Sequence, residues 1–197
     1  MLPRATIFGN PDRIAPCLSH DGKQLAWSAP KDDVMNVFVA PVSDMMKAVA
    51  VADEHGRPIS QLTWAWDNKH VLYALDKNGD ENTHVFNVDV DVAAKTTTDI
   101  TPSEKIQGRI SGLSERFPTQ VLLSVNARDA KYHDLYKVDL VSGERKLLQK
   151  NEGGYADFII DDSFAGAAAT AATPRSSASR SHRTSSRAAS TSSDRRT

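Results

Sequence analysis

Six histidines and many serines are the side chains of this 197-residue sequence that could take part in nucleophilic chemistry. A Ser–His–Asp hydrolase exposes its serine on a sharp strand-to-helix turn with the motif Gly-x-Ser-x-Gly. The nearest segment, residues 108–112, reads Gly-Arg-Ile-Ser-Gly, which has the wrong spacing and precedes a predicted strand. We therefore predict no catalytic residue in this sequence and interpret all six histidines as solvated surface groups. They are His20, His55, His70, His84, His133 and His182.

One segment has the residue types of a metal site. Residues 76–82 read Asp-Lys-Asn-Gly-Asp-Glu-Asn, and Asp76, Asn78 and Asp80 imitate the first, third and fifth positions of a calcium loop. The sixth position of such a loop requires glycine but is Glu81, and the glutamate of the twelfth position is missing. An Asn-Gly pair between two β-like runs is typical of a hairpin turn. We therefore predict a hairpin loop here and no bound metal.

Other cofactor chemistry has no support in the sequence. There is no His-Glu-x-x-His, no Cys-x-x-Cys and no glycine-rich phosphate loop, so we predict no cofactor. The single cysteine, Cys17, cannot form an intrachain disulfide and is interpreted as a small buried apolar residue. Neither a signal peptide nor a membrane span is recognisable, so we expect a soluble, cytoplasmic protein with no membrane partner.

A repeated unit organises the part of the chain before residue 165. Residues 18–29 and 62–75 each place an Asp-Gly or Asp-Asn turn before a short apolar strand with an aromatic residue. These aromatic residues, Trp27 and Tyr73, lie 46 residues apart, and a looser third copy follows 50 residues later. We interpret the three tryptophans as packing between sheets.

A second run follows each copy, and its polar and apolar residues alternate most clearly in the last two copies, as in a strand with one buried face. These runs are residues 36–42, 84–90 and 134–140. A unit of turn, strand, hairpin and strand with this period is typical of a β-propeller blade, whose length is roughly 40–50 residues. We predict an all-β fold, a partial β-propeller of about three to four blades of antiparallel sheet. An ordinary antiparallel sandwich is the alternative.

The composition changes abruptly at residue 165. Residues 165–197 are almost entirely Ala, Ser, Thr and Arg, and contain six arginines and one acid. So few large apolar side chains cannot offset the entropy lost on ordering, so we predict a disordered tail. Its uniformity favours out-of-frame translation of GC-rich coding sequence, and a genuine basic interaction tail is the alternative. We accordingly divide the chain into incomplete propeller blades, 1–164, and the tail.

The charge balance also differs between the two parts. The overall charge of −1 combines about −6 on residues 1–164 with +5 on the tail. An acidic body does not indicate nucleic-acid binding, and a short basic tail gives only weak, salt-dependent attraction to polyanions. We predict no specific nucleic-acid partner.

Taken together, the segments resemble the N-terminal propeller of the prolyl oligopeptidase family of serine peptidases, especially its bacterial acylaminoacyl-peptidase and dipeptidyl-aminopeptidase-like branch. Each motif is short, but their order and spacing are fairly specific across nearly all of residues 2–164. The matching segments are residues 2–4, 8–11, 18–26, 36–42, 64–73, 76–82, 109–113 and 128–143.

The resemblance implies a two-domain parent in which the propeller restricts access to an α/β-hydrolase domain that cleaves short peptides. This sequence ends after about three and a half blades, so we expect a truncated propeller without peptidase activity of its own. In related dipeptidyl peptidases, acidic propeller residues pair with the N-terminal ammonium of the substrate. The resemblance implies this substrate-binding role for Asp80 and Glu81. The alternative is that they cap the hairpin together with Asn82.

A non-enzymatic TolB-like or WD-type propeller that binds a protein partner is the competing function. In either case an open set of blades leaves apolar faces and strand edges bare, because only a closed ring covers them all. We therefore expect self-association through the open blade edges.

Overall fold

Antiparallel β-sheet makes up most of the protein. The computed structural model describes residue 3 and residues 12–56, 59–76, 79–91, 97–164 and 167–171. In these residues, three sheets have four consecutive strands each and a fourth sheet has two. We call these sheets blades 1 to 4, in chain order.

The strand bounds follow the predicted repeat. Blade 1 consists of β1 (Ile14–Leu18), β2 (Gln24–Lys31), β3 (Val34–Pro41) and β4 (Val49–Ala50), with a short 3-10 helix, Met45–Lys47, before β4. Blade 2 consists of β5 (Gln61–Trp64), β6 (His70–Asp76), β7 (Thr83–Asp89) and β8 (Thr97–Asp99). Blade 3 consists of β9 (Gly108–Leu113), β10 (Gln120–Asp129), β11 (Tyr132–Asp139) and β12 (Arg145–Gln149). Blade 4 consists of β13 (Tyr155–Ile160) and β14 (Ala167–Ala171).

The spacing of equivalent strands confirms the repeat. The second strands of blades 1, 2 and 3 begin at Gln24, His70 and Gln120, which are 46 and 50 residues apart. The runs predicted as further strands form β3, β7 and β11. Each blade is a meander in which neighbouring strands pair antiparallel, so local turns are sufficient to specify its topology.

Apolar clusters fill the spaces between blades. Strand β6 is buried on both faces because blade 2 lies between blades 1 and 3. Val71 and Tyr73 of this strand belong to the cluster shared with blade 1, whereas Leu72 and Ala74 belong to the cluster shared with blade 3. A smaller cluster joins Leu122 and Leu135 of blade 3 to Phe158 of blade 4, the predicted consequence of stacking blades face to face.

The prediction that the tryptophans pack between sheets is confirmed for Trp64 and is wrong for Trp27. Trp64 is fully buried between blades 1 and 2, and its Nε1 donates a hydrogen bond of 3.0 Å to the carbonyl of Cys17. Cys17 is only half-buried, but it packs against the same cluster. Trp27 is buried in a separate cluster on blade 1, while the half-buried Trp66 stacks on the ring of His20 with centroids 3.7 Å apart.

The turns between the first and second strands connect neighbouring blades. The backbone N–H of Asp21 in blade 1 donates to the side-chain oxygen of Asn68 in blade 2 at 2.9 Å. The N–H of Asp67 in blade 2 donates to the carbonyl of Pro118 in blade 3 at 3.1 Å. These bonds fix the angle at which successive blades fan out.

Strand β14 lies in the segment for which the composition predicts disorder. The backbone of Ala167–Ala171 pairs antiparallel with β13, so these five residues extend the sheet of blade 4. Residues 172–197, which contain the six arginines of the segment 165–197, lie outside the described residues. No helix in the described part of the chain is long and apolar enough to cross a membrane.

Candidate functional site

The tip of the β6–β7 hairpin carries the two acidic residues that the resemblance singled out. The hairpin turns at Gly79, with φ +76°, and Glu81, with φ +62°. Glycine adopts this left-handed region readily, whereas a glutamate there needs support from its surroundings. The predicted hairpin loop is confirmed for the residues that the structure describes; Lys77 and Asn78 lie outside them.

Asp80 is tied to its neighbour Asn82. The backbone N–H and the side-chain amide of Asn82 each donate a hydrogen bond of 3.0 Å, one to each carboxylate oxygen of Asp80. Hydrogen bonds to the charged form stabilise it, so these donors lower the pKa of Asp80 below its ordinary value. Asp80 therefore remains an exposed carboxylate at neutral pH and also caps the hairpin.

Asp80 also lines an open cleft of about 570 Å³ between this hairpin and the link that leads to blade 3. The cleft is lined by Asp80, His84, Asp99, Pro102, Ser103, Glu104 and Lys105. Three carboxylates face one lysine there, so the cleft favours a cationic group over an anion. Glu81 is exposed beside Asp80 but does not line the cleft, so the structure places only one of the two predicted residues in it.

The floor of the cleft is a buried hydrogen-bond network. His84 is 6% exposed, and its Nδ1 lies 2.8 Å from Oδ2 of Asp99. The other oxygen of Asp99 accepts from the backbone N–H of Thr101 at 2.8 Å, and the hydroxyl of Thr101 accepts from the N–H of Val85 at 2.9 Å. This network holds the end of β8 against β7 and so fixes one wall of the cleft.

The prediction that all histidines are solvated is wrong for two of them. His84 is buried as described, and His70 is 5% exposed, with Nδ1 2.5 Å from Oδ2 of Asp67. Each pairs with a carboxylate, which compensates for the loss of hydration on burial. The sequence held a signal for His70, since Asp67 precedes it by three residues in the turn, whereas the partner of His84 is 15 residues away.

The other histidines vary in exposure. His20 and His55 are exposed and His133 is half-buried; His182 lies outside the described residues. Burial and the nearby charge of Arg109 lower the pKa of His133. His20 stacks on Trp66, with its Nε2 3.3 Å from the carbonyl oxygen of Trp64, and Nε2 of His55 lies 3.6 Å from Oδ2 of Asp53.

A buried polar residue recurs near the start of the third strand in blades 1, 2 and 3, which sequence reasoning missed. Asn36, His84 and Asp134 occupy this position. Asn36 and Asp134 bond the link that leaves their own blade, and His84 contacts Asp99 at the end of the last strand of blade 2. The side chain of Asn36 exchanges hydrogen bonds of 2.7 and 2.9 Å with the backbone of Glu54. Asp134 accepts from the N–H of Asn151 at 2.7 Å. All three open the aligned runs of the repeat, so the signal was present in the sequence.

The Gly-Arg-Ile-Ser-Gly segment lies within β9 rather than before a strand. The hydroxyl of Ser111 lies 2.7 Å from that of Ser124 on the neighbouring strand, an arrangement that holds β9 to β10. Residues 110–113 face residues 61–63 across a groove of about 390 Å³ between the first strands of blades 2 and 3. In the described part of the chain no three His, Cys, Asp or Glu side chains are arranged so that they could hold a metal ion.

The sequence is similar to that of two peptidases. It is 38% identical to dipeptidyl aminopeptidase BIII of Pseudoxanthomonas mexicana over 164 residues, which make up 83% of this chain and 24% of that protein. It is 28% identical to dipeptidyl peptidase family member 6 of Caenorhabditis elegans over 168 residues, which make up 22% of that protein. The chain thus spans about a quarter of the length of these curated relatives. No family model matches it.

Solved structures resemble the fold at low sequence identity. Prolyl oligopeptidase B from Galerina marginata matches with a TM-score of 0.55 at 13% identity, over 74% of this chain and 22% of its own. The β-propeller domain of the trilobed protease from Pyrococcus furiosus matches with a TM-score of 0.53 at 16% identity. The match covers 76% of this chain and 45% of that domain. TolB from Acinetobacter baumannii matches with a TM-score of 0.52 at 14% identity. The match covers 79% of this chain and 36% of TolB. These similarities identify the stacked sheets as blades of a partial β-propeller.

Proposed function

We propose that this chain, which has the N-terminal β-propeller of the prolyl oligopeptidase family of serine peptidases, selects substrates for a peptidase. The peptidase acts on short peptides. The observation that carries the proposal is the 38% identity with a dipeptidyl aminopeptidase across 83% of the chain. Cleavage is assigned to a serine of an α/β-hydrolase domain, and not to any residue of blades 1 to 4. In this proposal the chain is a substrate-gating propeller.

Within this function, Asp80 and Glu81 pair with the N-terminal ammonium of the substrate. Asp80 is held as a carboxylate at the mouth of an acidic cleft, and Glu81 is exposed next to it. Two adjacent carboxylates attract an ammonium more strongly than one does, and they repel an anionic group placed at the same position. The capping of the hairpin by Asp80 is compatible with this role, because a capped tip presents its charges in a fixed position.

Peptide binding to the full chain tests the role of the acidic pair. We expect alanyl-alanine amide, titrated in NMR, to shift the amide signals of residues 80–84 and the N-acetylated peptide to shift them much less. Asp80→Asn and Glu81→Gln should each weaken binding of the free amine several-fold, because each removes a charge near the ammonium. Asp33→Asn, at the exposed tip of the corresponding hairpin in blade 1, is the matched control and should leave binding unchanged. Equal shifts with both peptides would contradict the role.

Two further tests concern the parent peptidase. The purified 197-residue chain should release no product from dipeptide p-nitroanilides, and turnover would refute the assignment of chemistry to another domain. Reading the coding DNA past the codon for Phe164 in the other frames gives an independent answer. Blade-like sequence followed by a Gly-x-Ser-x-Gly motif supports the peptidase.

A non-enzymatic, protein-binding propeller is the second candidate. It is favoured by the match to TolB, which covers 79% of the chain with a TM-score close to that of the peptidases. The sequence identities separate the two candidates, since TolB is 14% identical and the dipeptidyl aminopeptidase 38%. If no reading frame restores a hydrolase sequence, the scaffold function gains support.

A further inference from the structure

Gln107 lies at the end of the link between blades 2 and 3, and its backbone is tightly held. Ile106 before it is 4% exposed and belongs to the cluster between these blades. Gly108 after it is buried so closely that a Cβ would lie 2.9 Å from Cγ2 of Thr101. Because Ile106 and Gly108 on either side are buried, the backbone at Gln107 has little freedom. The side chain of Gln107 therefore projects from a fixed position.

Blade 3 holds the same residue from the other side. The N–H of Gln107 donates to Oδ1 of Asn126 at 2.6 Å, and the N–H of Asn126 donates to the carbonyl of Gln107 at 3.3 Å. Asn126 is 8% exposed, and its Nδ2 donates to the carbonyl of Ala130 at the tip of the blade 3 hairpin. The link is therefore anchored to β10 and to the hairpin that follows it.

From this position the side chain of Gln107 reaches the acidic tip of blade 2. Its Nε2 donates a hydrogen bond of 3.0 Å to the carbonyl of Glu81, which lies 26 residues earlier in the chain. Glu81 adopts the left-handed conformation that is unfavourable for a side chain of this kind. A bond to its carbonyl constrains the peptide unit and thereby supports that conformation.

We propose that Gln107 is a positioning residue that fixes the directions of the Asp80 and Glu81 carboxylates by holding the hairpin tip against the link and blade 3. This inference rests on the proposed function of the acidic pair. Gln107 itself need not touch the substrate, because its amide acts on the backbone of the tip. A tip without this bond samples other conformations, and the carboxylates meet an ammonium less often.

Hydrogen exchange and peptide binding in the full 197-residue chain test the proposal. Gln107→Met removes the amide donor and keeps the side-chain length. We expect exchange at the amides of Asn82 and Thr83 to accelerate about two- to tenfold, the factor of one typical net hydrogen bond. Binding of alanyl-alanine amide should weaken by a similar factor, with no change for the N-acetylated peptide. Gln149→Met is the matched control, since the amide of Gln149 donates to the adjacent carbonyl of Lys150 and so joins no distant segment among the described residues.

The outcomes separate this proposal from the function on which it rests. Wild-type exchange and wild-type binding in Gln107→Met would overturn the positioning role. If the wild-type chain bound neither peptide, the proposed ammonium site would fail, and the exchange rates alone would decide whether Gln107 holds the tip. Gln107→Glu, which also lacks the donor, serves as the second variant and should show the same acceleration of exchange.

Discussion

At the scale of single residues, buried polar side chains bond to one another and to the backbone, and these hydrogen bonds replace the bonds to water that are lost on folding. The pair of Asp134 and Arg128 is the clearest case. Nε and Nη2 of Arg128 donate to the two carboxylate oxygens of Asp134 at 2.7 and 2.8 Å, and the Asp134 side chain is fully buried. Arg128 also donates to the carbonyl of Asn151, so one ion pair joins the blade 3 hairpin to the link toward blade 4.

Removing this carboxylate should destabilise the fold. Asp134→Ala leaves the guanidinium of Arg128 without its partner and the N–H of Asn151 without an acceptor. We expect a loss of about 2–4 kcal/mol in the free energy of unfolding, below the largest values for buried pairs because Arg128 remains partly hydrated. Urea denaturation of the full chain measures the loss. Asp129→Ala removes an aspartate that accepts from the N–H of Lys131 and should cost much less; equal losses would contradict the argument.

The buried pair of His70 and Asp67 predicts a pH dependence of stability. Burial by itself lowers the pKa of His70, but the hydrogen bond and charge of Asp67, together with the charge of Asp89, raise it above its ordinary value. The folded state therefore holds this proton more tightly than the unfolded state, whose histidine pKa is about 6.5. The resulting stabilisation is complete below that pH and is lost as the pH rises through the pKa of the folded state.

Comparison with a variant isolates this effect. The free energy of unfolding of the wild type, relative to His70→Gln, should decrease as the pH rises from about 6 to about 9. Denaturation midpoints measured at several pH values give the difference. A constant difference across this range would show that the proton on His70 does not stabilise the folded state.

At the scale of elements, the links between blades are as closely fitted as the strands. Gly108 marks the point where the second link joins β9, beside Thr101 and Val85. An added methyl group there would lie 2.9 Å from Cγ2 of Thr101 and 3.4 Å from Cγ2 of Val85. The glycine is needed for close approach rather than for an unusual backbone angle.

Gly108→Ala should therefore destabilise the protein by overpacking. We expect a loss of about 1–3 kcal/mol in the free energy of unfolding, because the link must move away from blade 2. Gly56→Ala is the matched control, since an added Cβ at Gly56 has no atom within 4 Å, and it should change stability by less than about 0.5 kcal/mol. Thermal denaturation of the two variants checks the prediction, and a neutral Gly108→Ala would contradict it.

At the scale of the whole molecule, the first and last of the described blades leave apolar side chains exposed. Blade 4 presents Ile159 with 60% of its surface exposed, while its neighbour Phe158 is buried against blade 3. Blade 1 exposes 52% of Leu18 at the other end of the series. Exposed apolar groups on sheet faces and edges favour association between copies.

Sedimentation velocity of the full chain should show concentration-dependent self-association. Ile159→Lys should weaken it, because a charge on the exposed face of β13 opposes the burial of that face. Val141→Lys changes a residue that is 72% exposed in a turn of blade 3 and should have no effect. A wild-type chain that sediments as a monomer at all concentrations would contradict self-association through the blades.

The sequence by itself determined the repeated blade and its strands, and it predicted about three to four blades. Turns such as Asp21-Gly22 and alternating strands such as β7 and β11 are local signals, because a strand pairs with its neighbour in the chain through a short hairpin. Only the tertiary structure decided which partners the buried polar groups find and which side chains surround the acidic tip. His84 meets Asp99 of the neighbouring strand in blade 2, across 15 residues, whereas Glu81 meets Gln107 of the link to blade 3, across 26 residues. The second contact depends on how blade 3 packs against blade 2. Local patterns carry no information about that packing, since burial is set by all the elements that converge on a residue.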